Sequence, residues 1–127
     1  MRVLVIGLGI QGKKRIRFSS QNLIATVDPK NPDAIFKNIE DVPLSSFDAA
    51  IVCVPDREKI QVLNYLIENN KHILVEKPLW ADSKEELKKL SELLKSKNSL
   101  IFKTAYNHRF EPSFLEMKKL LQSQKLG

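Results

Sequence analysis

The chain has 127 residues and a formal net charge of +6. That length suits one domain with a hydrophobic core and excludes a second full domain. Hydrophobic residues make up 43% of the sequence and charged residues 28%, a balance that excludes the disordered and fibrous classes of protein.

No apolar stretch approaches the ~20 residues of a membrane-spanning helix, and the short run after Met1 lacks the core and cleavage site of a signal peptide. We therefore expect a cytoplasmic protein without membrane contact. Lysines alternate with glutamates along the predicted helices, which is typical of a solvated surface, so we expect no nucleic-acid partner. The single cysteine, Cys53, lies in an apolar run and is expected in the core, and we predict no metal site.

The first half of the chain begins with a strand pattern, because Val3–Ile6 is a continuous apolar run that ends at a glycine. A helix is predicted over Ile10–Ser19 and a second strand over Leu23–Val27. The helix is expected to pack through Ile10, Ile16 and Phe18 and to turn Lys13, Lys14, Arg15 and Arg17 to solvent. Residues 29–43 are irregular, with an apolar patch at 34–36 that suggests a further short strand.

The second half repeats the alternation. Strands are predicted over 48–54, His72–Val75 and 100–104. Three helices are predicted: one that runs through Ile60, Leu63, Leu66 and Ile67 to Asn70, one that Asp82 or Ser83 caps and that ends before 97–99, and one from Pro112 to Gly127.

Strands that alternate with helices at this spacing must pair in parallel through crossover helices. The predicted fold class is therefore α/β, a doubly wound and mostly parallel sheet with helices on both faces. In such a sheet, ligands bind in a crevice at the carboxyl ends of the strands. The residues that directly follow each strand are thus the candidates for function.

A glycine-rich motif follows the first strand and opens the first helix, which is the context of a dinucleotide-binding fingerprint. Gly7 is expected to form a tight turn, Gly9 to let the backbone approach a pyrophosphate, and Gly12 to allow close packing of helix on strand. The predicted cofactor-binding residues of this motif are Gly7, Leu8, Gly9, Ile10, Gln11 and Gly12. The alternative is an ordinary glycine turn between a strand and a helix.

Asp28 ends the second strand, close to the offset expected for the acid that binds the hydroxyls of an adenosine ribose. A carboxylate there favours NAD and repels the extra phosphate of NADP. Lys30 weakens that preference because it offers a cation, so NADP stays open. An Asp that only forms a turn before Pro29 is the structural alternative.

Glu76, Lys77 and Pro78 follow the strand His72–Val75, so the Lys77 ammonium is delivered to the crevice edge. A lysine there can hydrogen-bond a substrate hydroxyl and shuttle a proton. The alternative is a surface lysine paired with Glu76, and spacing alone favours that alternative.

Together these motifs resemble the N-terminal half of the glucose-fructose oxidoreductase and inositol dehydrogenase family (Gfo/Idh/MocA). The resemblance covers essentially all 127 residues. It rests on GLGIQG at 7–12, VPD at 54–56, KHILVEKPL at 71–79 and YNHRFEP at 106–112, and the Glu-Lys-Pro stretch is the most specific of these.

The resemblance implies that Lys77 contacts the substrate and the nicotinamide ribose and assists proton transfer, and that Glu76 lies near the cofactor. It also implies cofactor contacts for Val54 and Pro55, with Pro55 on the adenosine side. Asn107 and Arg109 would face the nicotinamide end, although a structural ion pair with Glu111 is an equal alternative for Arg109.

The chain departs from the family pattern at Lys59, where many members carry a histidine. The larger departure is length, because family members continue into a C-terminal α/β domain that is absent here. We therefore expect a fragment in which 1–110 form the Rossmann domain and 111–127 form a helix that leads toward the missing substrate domain.

The first functional hypothesis is the cofactor-binding part of an NAD(P)-dependent oxidoreductase that moves a hydride to or from a carbon of a sugar, cyclitol or sugar nucleotide. The fragment alone is expected to bind dinucleotide but to be nearly inactive. The alternative is a stand-alone NAD(H)-binding or sensing module that acts through a protein partner, which a polar surface in place of the missing domain would favour.

The two histidines and the last helix have separate expected roles. His72 is expected to be a strand-edge residue, whereas His108 has a modest chance of reaching the crevice. The apolar side chains of the last helix are expected to stay uncovered and to promote a homo-oligomer. They are Phe114, Leu115, Met117, Leu120 and Leu121.

Overall fold

A computed structural model describes residues 1–123, and its centre is a sheet of short strands. The strands are β1 (Val3–Ile6), β2 (Leu23–Val27), β3 (Ala49–Val52), β4 (His72–Val75) and β5 (Phe102–Thr104). The α-helices of the described part are α1 (Ile10–Ser19), α2 (Asp56–Glu68), α3 (Lys84–Lys95) and α4 (Pro112–Gln122).

The strand order is β2-β1-β3-β4-β5, and every neighbouring pair is parallel. The chain moves outward from β1 to β2, returns to β3 on the other side of β1, and then proceeds to β4 and β5. Because right-handed crossovers in opposite directions place their helices on opposite faces, α1 covers one face of the sheet and α2 and α3 cover the other. The doubly wound fold predicted from the sequence is confirmed.

The main core lies between the sheet and the helices α2 and α3. Alternate residues of the inner strands point to this face and are fully or almost fully buried, among them Leu4, Ile6 and Val52. The facing helical residues are Leu63, Leu66 and Ile67 of α2 and Leu90 of α3. This packing fixes the strand ends from which the candidate site is built.

Several element boundaries differ from the sequence-based prediction. β3 ends at Val52 and not at Val54, and the Cys53 amide makes the last hydrogen bond to β1 ahead of Pro55, which has no N–H to donate. α2 already begins at Asp56, where acidic residues in the first turn favour the helix N-terminus. The suggested strand at 34–36 is reduced to one isolated parallel bridge between Val27 and Phe36.

The predicted packing face of α1 is correct only in part: Ile16 is half-buried and Lys13, Lys14 and Arg17 are exposed as expected, but the other residues differ. Ile10 and Phe18 are 78% and 83% exposed, whereas Arg15 is half-buried. The helix meets the sheet through Gly12, whose lack of a side chain allows a closer approach than a large apolar residue would permit. Close backbone packing therefore replaces the apolar stripe that periodicity suggested.

The structure shows where α3 begins and where α4 ends within the described residues. Ser83 is the N-cap of α3, where its hydroxyl accepts a hydrogen bond from the Glu86 amide at 3.1 Å. α4 ends at Gln122, and the remainder of its predicted extent, 124–127, lies outside the described residues. Within residues 1–123, no helix combines the length and the apolar character needed to cross a membrane.

Candidate functional site

The carboxyl ends of the strands form one edge of the sheet. Backbone hydrogen bonds hold the residues that follow each strand in register: the Gly7 amide donates to the Val27 carbonyl at 2.8 Å, and the Glu76 amide donates to the Val52 carbonyl at 2.9 Å. The Cys53 amide likewise donates to the Ile6 carbonyl at 2.7 Å. The motifs that are far apart in the sequence are therefore brought to the same edge.

Two glycines of the motif are required by the backbone itself. Gly7 has a φ of 88°, in the left-handed region, and a Cβ there would lie 2.7 Å from the carbonyl carbon of Cys53. A Cβ on Gly12 would overlap the carbonyl oxygen of Gly7. These contacts agree with the expected tight turn at Gly7 and close packing at Gly12.

Gly9 differs from both, because a Cβ built there would have no atom within 4 Å. It is the N-cap of α1 and offers no side chain to the amides of the first turn, which carries no acidic residue. Those amides are donors without intrahelical partners and lie at the positive end of the helix dipole. Bare backbone beside open space is the geometry that a pyrophosphate needs, so the loop fits a dinucleotide.

A crevice with a volume of about 580 Å³ opens above this loop. Seven of the predicted site residues line it: Gly7, Gly9, Ile10, Gln11, Asp28, Val54 and Pro55. Leu8 instead lines a neighbouring cavity that shares Gly9, Asp28 and Lys30 with the crevice. Gly12 is buried beneath the loop.

Asp28 holds the glycine-rich loop as well as facing the crevice. Its Oδ2 accepts a hydrogen bond from the Leu8 amide at 2.7 Å, and its Oδ1 accepts from the amides of Lys30 and Asn31, both at 2.9 Å. Burial tends to raise the pKa of this carboxyl, but the three amides and the nearby Lys37 outweigh that effect and lower it. Asp28 is therefore ionised at neutral pH.

Cys53 is not the core residue expected from the sequence. It is half-buried and lines the crevice, because β3 ends one residue earlier. Burial, reinforced by the negative charge of Glu76, raises the pKa of its thiol to about 12. Cys53 thus stays protonated at neutral pH and is a poor nucleophile.

Glu76 is paired with Arg15 of α1, which the sequence analysis assigned to solvent. The Arg15 Nε donates to Glu76 Oε1 at 2.6 Å, and a second guanidinium nitrogen contacts the same oxygen. The side chains of Arg15 and Glu76 are only 20% and 12% exposed. The alternative in which Lys77 pairs with Glu76 is therefore not what the structure contains.

Lys77 is exposed, and the structure records no hydrogen bond or ion pair between its ammonium and the described residues. The turn that carries Lys77 is hydrogen-bonded to the buried side chain of Lys59, which is 2% exposed. The Lys59 Nζ donates to the Pro78 carbonyl at 2.6 Å and to Asp56 Oδ1 at 2.7 Å. Lys59 departs from the family pattern in sequence, but no pattern in the sequence indicates that its side chain is buried.

Asn107 and Arg109 lie apart from the crevice. They line a second cavity of about 470 Å³ at the end of β5, together with Arg15. The Arg109 guanidinium lies over the ring of Phe110 at 5.5 Å, and the structure shows no ion pair with Glu111. Among the described residues, Glu111 pairs instead with His108, at 2.7 Å.

The histidines have structural contacts. His72 Nδ1 accepts a hydrogen bond from the Ile101 amide at 3.1 Å, which agrees with a strand-edge role. The side chain of His108 is 76% exposed and does not line either cavity. Neither histidine reaches the crevice.

A family model described as "Oxidoreductase family, NAD-binding Rossmann fold" (GFO_IDH_MocA) matches residues 1–105. Inositol 2-dehydrogenase 4 of Saccharopolyspora erythraea is 27% identical over 144 aligned positions, which include 100% of this chain and 42% of the relative. Inositol 2-dehydrogenase of Corynebacterium glutamicum is 28% identical with the same coverage. The chain thus spans less than half the length of these relatives.

Solved structures share the fold. Scyllo-inositol dehydrogenase from Lactobacillus casei, with bound NAD(H) and scyllo-inositol, superposes with a TM-score of 0.86 at 22% identity, over 100% of this chain and 42% of that one. At this identity the likeness concerns the fold alone. The match of the family model, which covers most of the chain, shows that this protein belongs to the Gfo/Idh/MocA oxidoreductase family and carries its NAD-binding Rossmann fold.

Proposed function

We propose that this chain is the cofactor-holding part of an NAD-dependent oxidoreductase that moves a hydride to or from a hydroxyl-bearing carbon of a sugar, cyclitol or sugar nucleotide. The observation that carries the proposal is the crevice of about 580 Å³, in which Gly9, Asp28 and Pro55 meet at the carboxyl edge of the sheet. The names of the two relatives described above, both inositol 2-dehydrogenases, support the substrate class.

The residues have separate tasks in this proposal. The loop 7–12 binds the pyrophosphate through backbone amides, and Asp28 and Pro55 hold the adenosine side. Bound NAD supplies the hydride chemistry. The second cavity, with Asn107 and Arg109, receives the nicotinamide end or the group beside it.

Lys77 is the proposed catalytic residue. Its ammonium has no partner among the residues that the structure describes, so it is available to hydrogen-bond the hydroxyl of a substrate. Glu76, one residue earlier, is fixed by its ion pair with Arg15 and thereby positions the backbone of the turn that carries Lys77. Lys77 would then accept or return the hydroxyl proton as the carbon changes between carbinol and carbonyl.

The rest of the substrate site is proposed to lie outside these residues. In this proposal 1–110 hold the cofactor, and the helix that starts after 111 leads to a substrate-binding part, as the length of the relatives suggests. The chain by itself is then expected to bind dinucleotide with little or no turnover. A homo-oligomer of the complete protein belongs to the same proposal.

A stand-alone sensing module is the second candidate, but the exposed surface does not favour it. A polar surface on α4 would support that function, whereas Phe114, Met117 and Leu121 of α4 are 49%, 52% and 61% exposed. An uncovered apolar helix face is typical of a contact surface within a larger protein.

Calorimetric titration of the purified chain with NADH tests the proposal. Saturable binding that ADP-ribose displaces is expected. Gln11→Glu places a carboxylate in the first turn of α1, where it suits the helix dipole but opposes a pyrophosphate. We expect it to weaken NADH binding by at least about tenfold, or ~1.4 kcal/mol, without loss of fold.

The matched control is Gln21→Glu, the same charge change at an exposed residue just before β2 that does not line the crevice. It should leave the NADH affinity unchanged. Absence of NADH binding in the unaltered chain would overturn the proposed function. An equal effect of both substitutions would instead place the dinucleotide elsewhere.

A further inference from the structure

The second cavity, at the end of β5, is lined by three cationic side chains. Its volume is about 470 Å³, and the three cations are Arg15, Lys103 and Arg109. Among residues 1–123, no aspartate or glutamate lines this cavity, whereas Asp28 and Glu58 line the main crevice. A cavity lined by one sign of charge concentrates ligands of the opposite sign. The second cavity is therefore electrostatically suited to an anionic group.

Lys103 occupies a position in the sheet where an apolar residue is expected. It is paired with Leu74 in the parallel ladder of β4 and β5, and Phe102 beside it packs against the main core. Because side chains alternate along a strand, Lys103 and Leu74 point to the opposite face. Strands of a parallel sheet are usually continuous apolar runs, and Lys103 interrupts the run of β5. The structure records no ion pair for Lys103 within residues 1–123, and an anion in the cavity would supply one.

Arg15 is fixed in the wall of the cavity. Its Nε and one terminal nitrogen contact Glu76 Oε1, and its side chain is only 20% exposed. The structure records no partner for the other terminal nitrogen, yet no buried polar side-chain atom within residues 1–123 lacks a hydrogen-bond partner. That nitrogen is therefore accessible. It can donate to an anion while the ion pair with Glu76 stays intact.

Arg109 and three neutral side chains add donors to the lining. The Arg109 guanidinium lies 5.5 Å from the centroid of the Phe110 ring, a contact that favours one position of the cation. Thr104, Tyr106 and Asn107 carry hydroxyl and amide donors. Carboxylate and phosphate oxygens accept from all of these groups, and a guanidinium binds either anion in a bidentate manner.

The cavity adjoins the strand that leads to the proposed catalytic lysine. The Ala105 amide, in the cavity lining, donates to the Val75 carbonyl at 2.9 Å. Val75 ends β4 and lies two positions before Lys77. The cavity volume is also in the range of small-molecule sites, so it has room for part of a ring as well as for its substituent. A ligand held here by an anionic substituent can thus extend toward Lys77.

We infer that the second cavity binds an anionic substituent of the substrate, which is then an acidic sugar or cyclitol that carries a carboxylate or a phosphate ester. Arg15, Lys103 and Arg109 hold this anion. The assignment rests on the proposed function, because it names the substrate class of the same site. The group that the cavity receives beside the nicotinamide is the acidic substituent.

Titration of the isotope-labelled chain by NMR, with NADH at saturation, tests this assignment. The probes are glucuronate, glucose 6-phosphate and glucose, which share a sugar ring and differ in charge. We expect saturable shifts of the amides of 103–109 with at least one anionic sugar, and a dissociation constant at least about tenfold below that of glucose, or ~1.4 kcal/mol. The anionic sugar that binds more tightly identifies the substituent as carboxylate or phosphate.

Two variants and a matched control locate the anion. Lys103→Gln and Arg109→Gln each remove an exposed charge from the lining and should weaken the anionic sugar by about threefold to tenfold, because one partly solvated charge contact is lost. Lys88→Gln makes the same charge change at an exposed position of α3 that does not line the cavity. Salt screens such a distant charge, so its effect should stay within about twofold. The urea midpoint of each variant checks that it is folded.

The NADH affinity, measured by calorimetry on the same samples, separates this assignment from the proposed function. NADH binding together with glucose that binds as tightly as both anionic sugars would overturn the assignment and leave the proposed function intact. An equal loss in Lys88→Gln and in the two lining variants would also overturn it, since the attraction would then come from the net charge of the chain. Failure to bind NADH would refute the proposed function, and with it the assignment of the anion to a substrate.

Discussion

Lys59 is a cation with almost no access to water, and its two hydrogen bonds connect the first turn of α2 to the turn that carries Lys77. Of its partners, the Asp56 side chain is 46% exposed and can be solvated without the lysine. The Pro78 carbonyl has no other donor recorded among residues 1–123. The main role of the buried ammonium is therefore to position the turn.

Replacement of Lys59 by methionine keeps the apolar stem and removes the ammonium. We expect a loss of about 1–3 kcal/mol in the free energy of unfolding, because the charge-assisted hydrogen bonds to the Pro78 carbonyl and Asp56 are lost. Amide hydrogen exchange at 77–81 should accelerate more than exchange in the core strands. Lys88→Met, at an exposed position of α3, is the control, and a uniform acceleration over the whole chain would contradict a positioning role.

The Asp28 carboxylate predicts a pH dependence of stability. Its pKa in the folded chain lies below the unfolded value of about 3.9, so its ionised form stabilises the fold above that pH and the stabilisation is lost as pH falls through the folded pKa. Asp28→Asn should lower the urea midpoint at pH 7. The difference from the unaltered chain should shrink as the pH falls from about 5 to 3.

The control for this pH series is Asp33→Asn, since the described structure shows no hydrogen bond to the Asp33 carboxylate. Its effect on the urea midpoint should stay small throughout the series. A constant difference between Asp28→Asn and the unaltered chain at every pH would show that the loss is not electrostatic.

At the scale of the element, α1 shows how one helix combines two demands. Gly12 brings the helix against the sheet, and Gly9 leaves its first turn bare. The same substitution at the two positions should therefore act on different properties. A substitution at Gly12 changes the packing of the helix on the sheet, whereas a substitution at Gly9 changes the ligand site.

Gly12→Ala should destabilise the fold by roughly 1–3 kcal/mol, because the new methyl group overlaps a backbone carbonyl that cannot move freely. Gly9→Ala should change stability by less than about 1 kcal/mol, since its φ of −68° suits alanine. NADH binding should nevertheless weaken in Gly9→Ala. Urea denaturation and calorimetry measure both effects, and similar stability losses in both variants would contradict the division of roles.

Much of the element structure follows from local sequence. Apolar runs predict β1, β2 and β4, because these strands are buried in the sheet. The spacing of apolar residues predicts α2 and α3, because each of these helices buries one face. The packing face of α1 could not be predicted in this way, since close contact through Gly12 depends on where Gly7 places its carbonyl. Likewise, Arg15 meets Glu76 across 61 positions, and no local pattern indicates such a pair.

At the scale of the whole molecule, the candidate site is partly predictable from topology. Parallel strands bring the residues after β1, β2 and β3 to one edge, so the glycine-rich loop, Asp28 and Pro55 are found together. Asn107 and Arg109 follow β5, two strands from β3, and line a separate cavity. Their distance from the loop depends on the path of the chain after β5, which the sequence pattern does not specify.

The exposed face of α4 predicts the behaviour of the isolated chain in solution. Light scattering after gel filtration should show self-association that grows with concentration, because Phe114, Met117 and Leu121 form uncovered apolar surface. The double variant Phe114→Ser and Leu121→Ser should reduce this association. Phe18→Ser, at a single exposed apolar residue of α1, is the control, and a monomer at high concentration would contradict the prediction.

The position of β1 has a consequence for how the chain folds. Of the five strands described, β1 is synthesised first, yet it lies in the interior of the sheet and pairs with β2 on one edge and β3 on the other. No two neighbouring strands are joined by a tight turn, so each pairing must close a long loop before it gains energy. β1 can therefore complete both of its pairings only after residues near position 50 have been synthesised, and deletion of β1 would separate β2 from β3, β4 and β5.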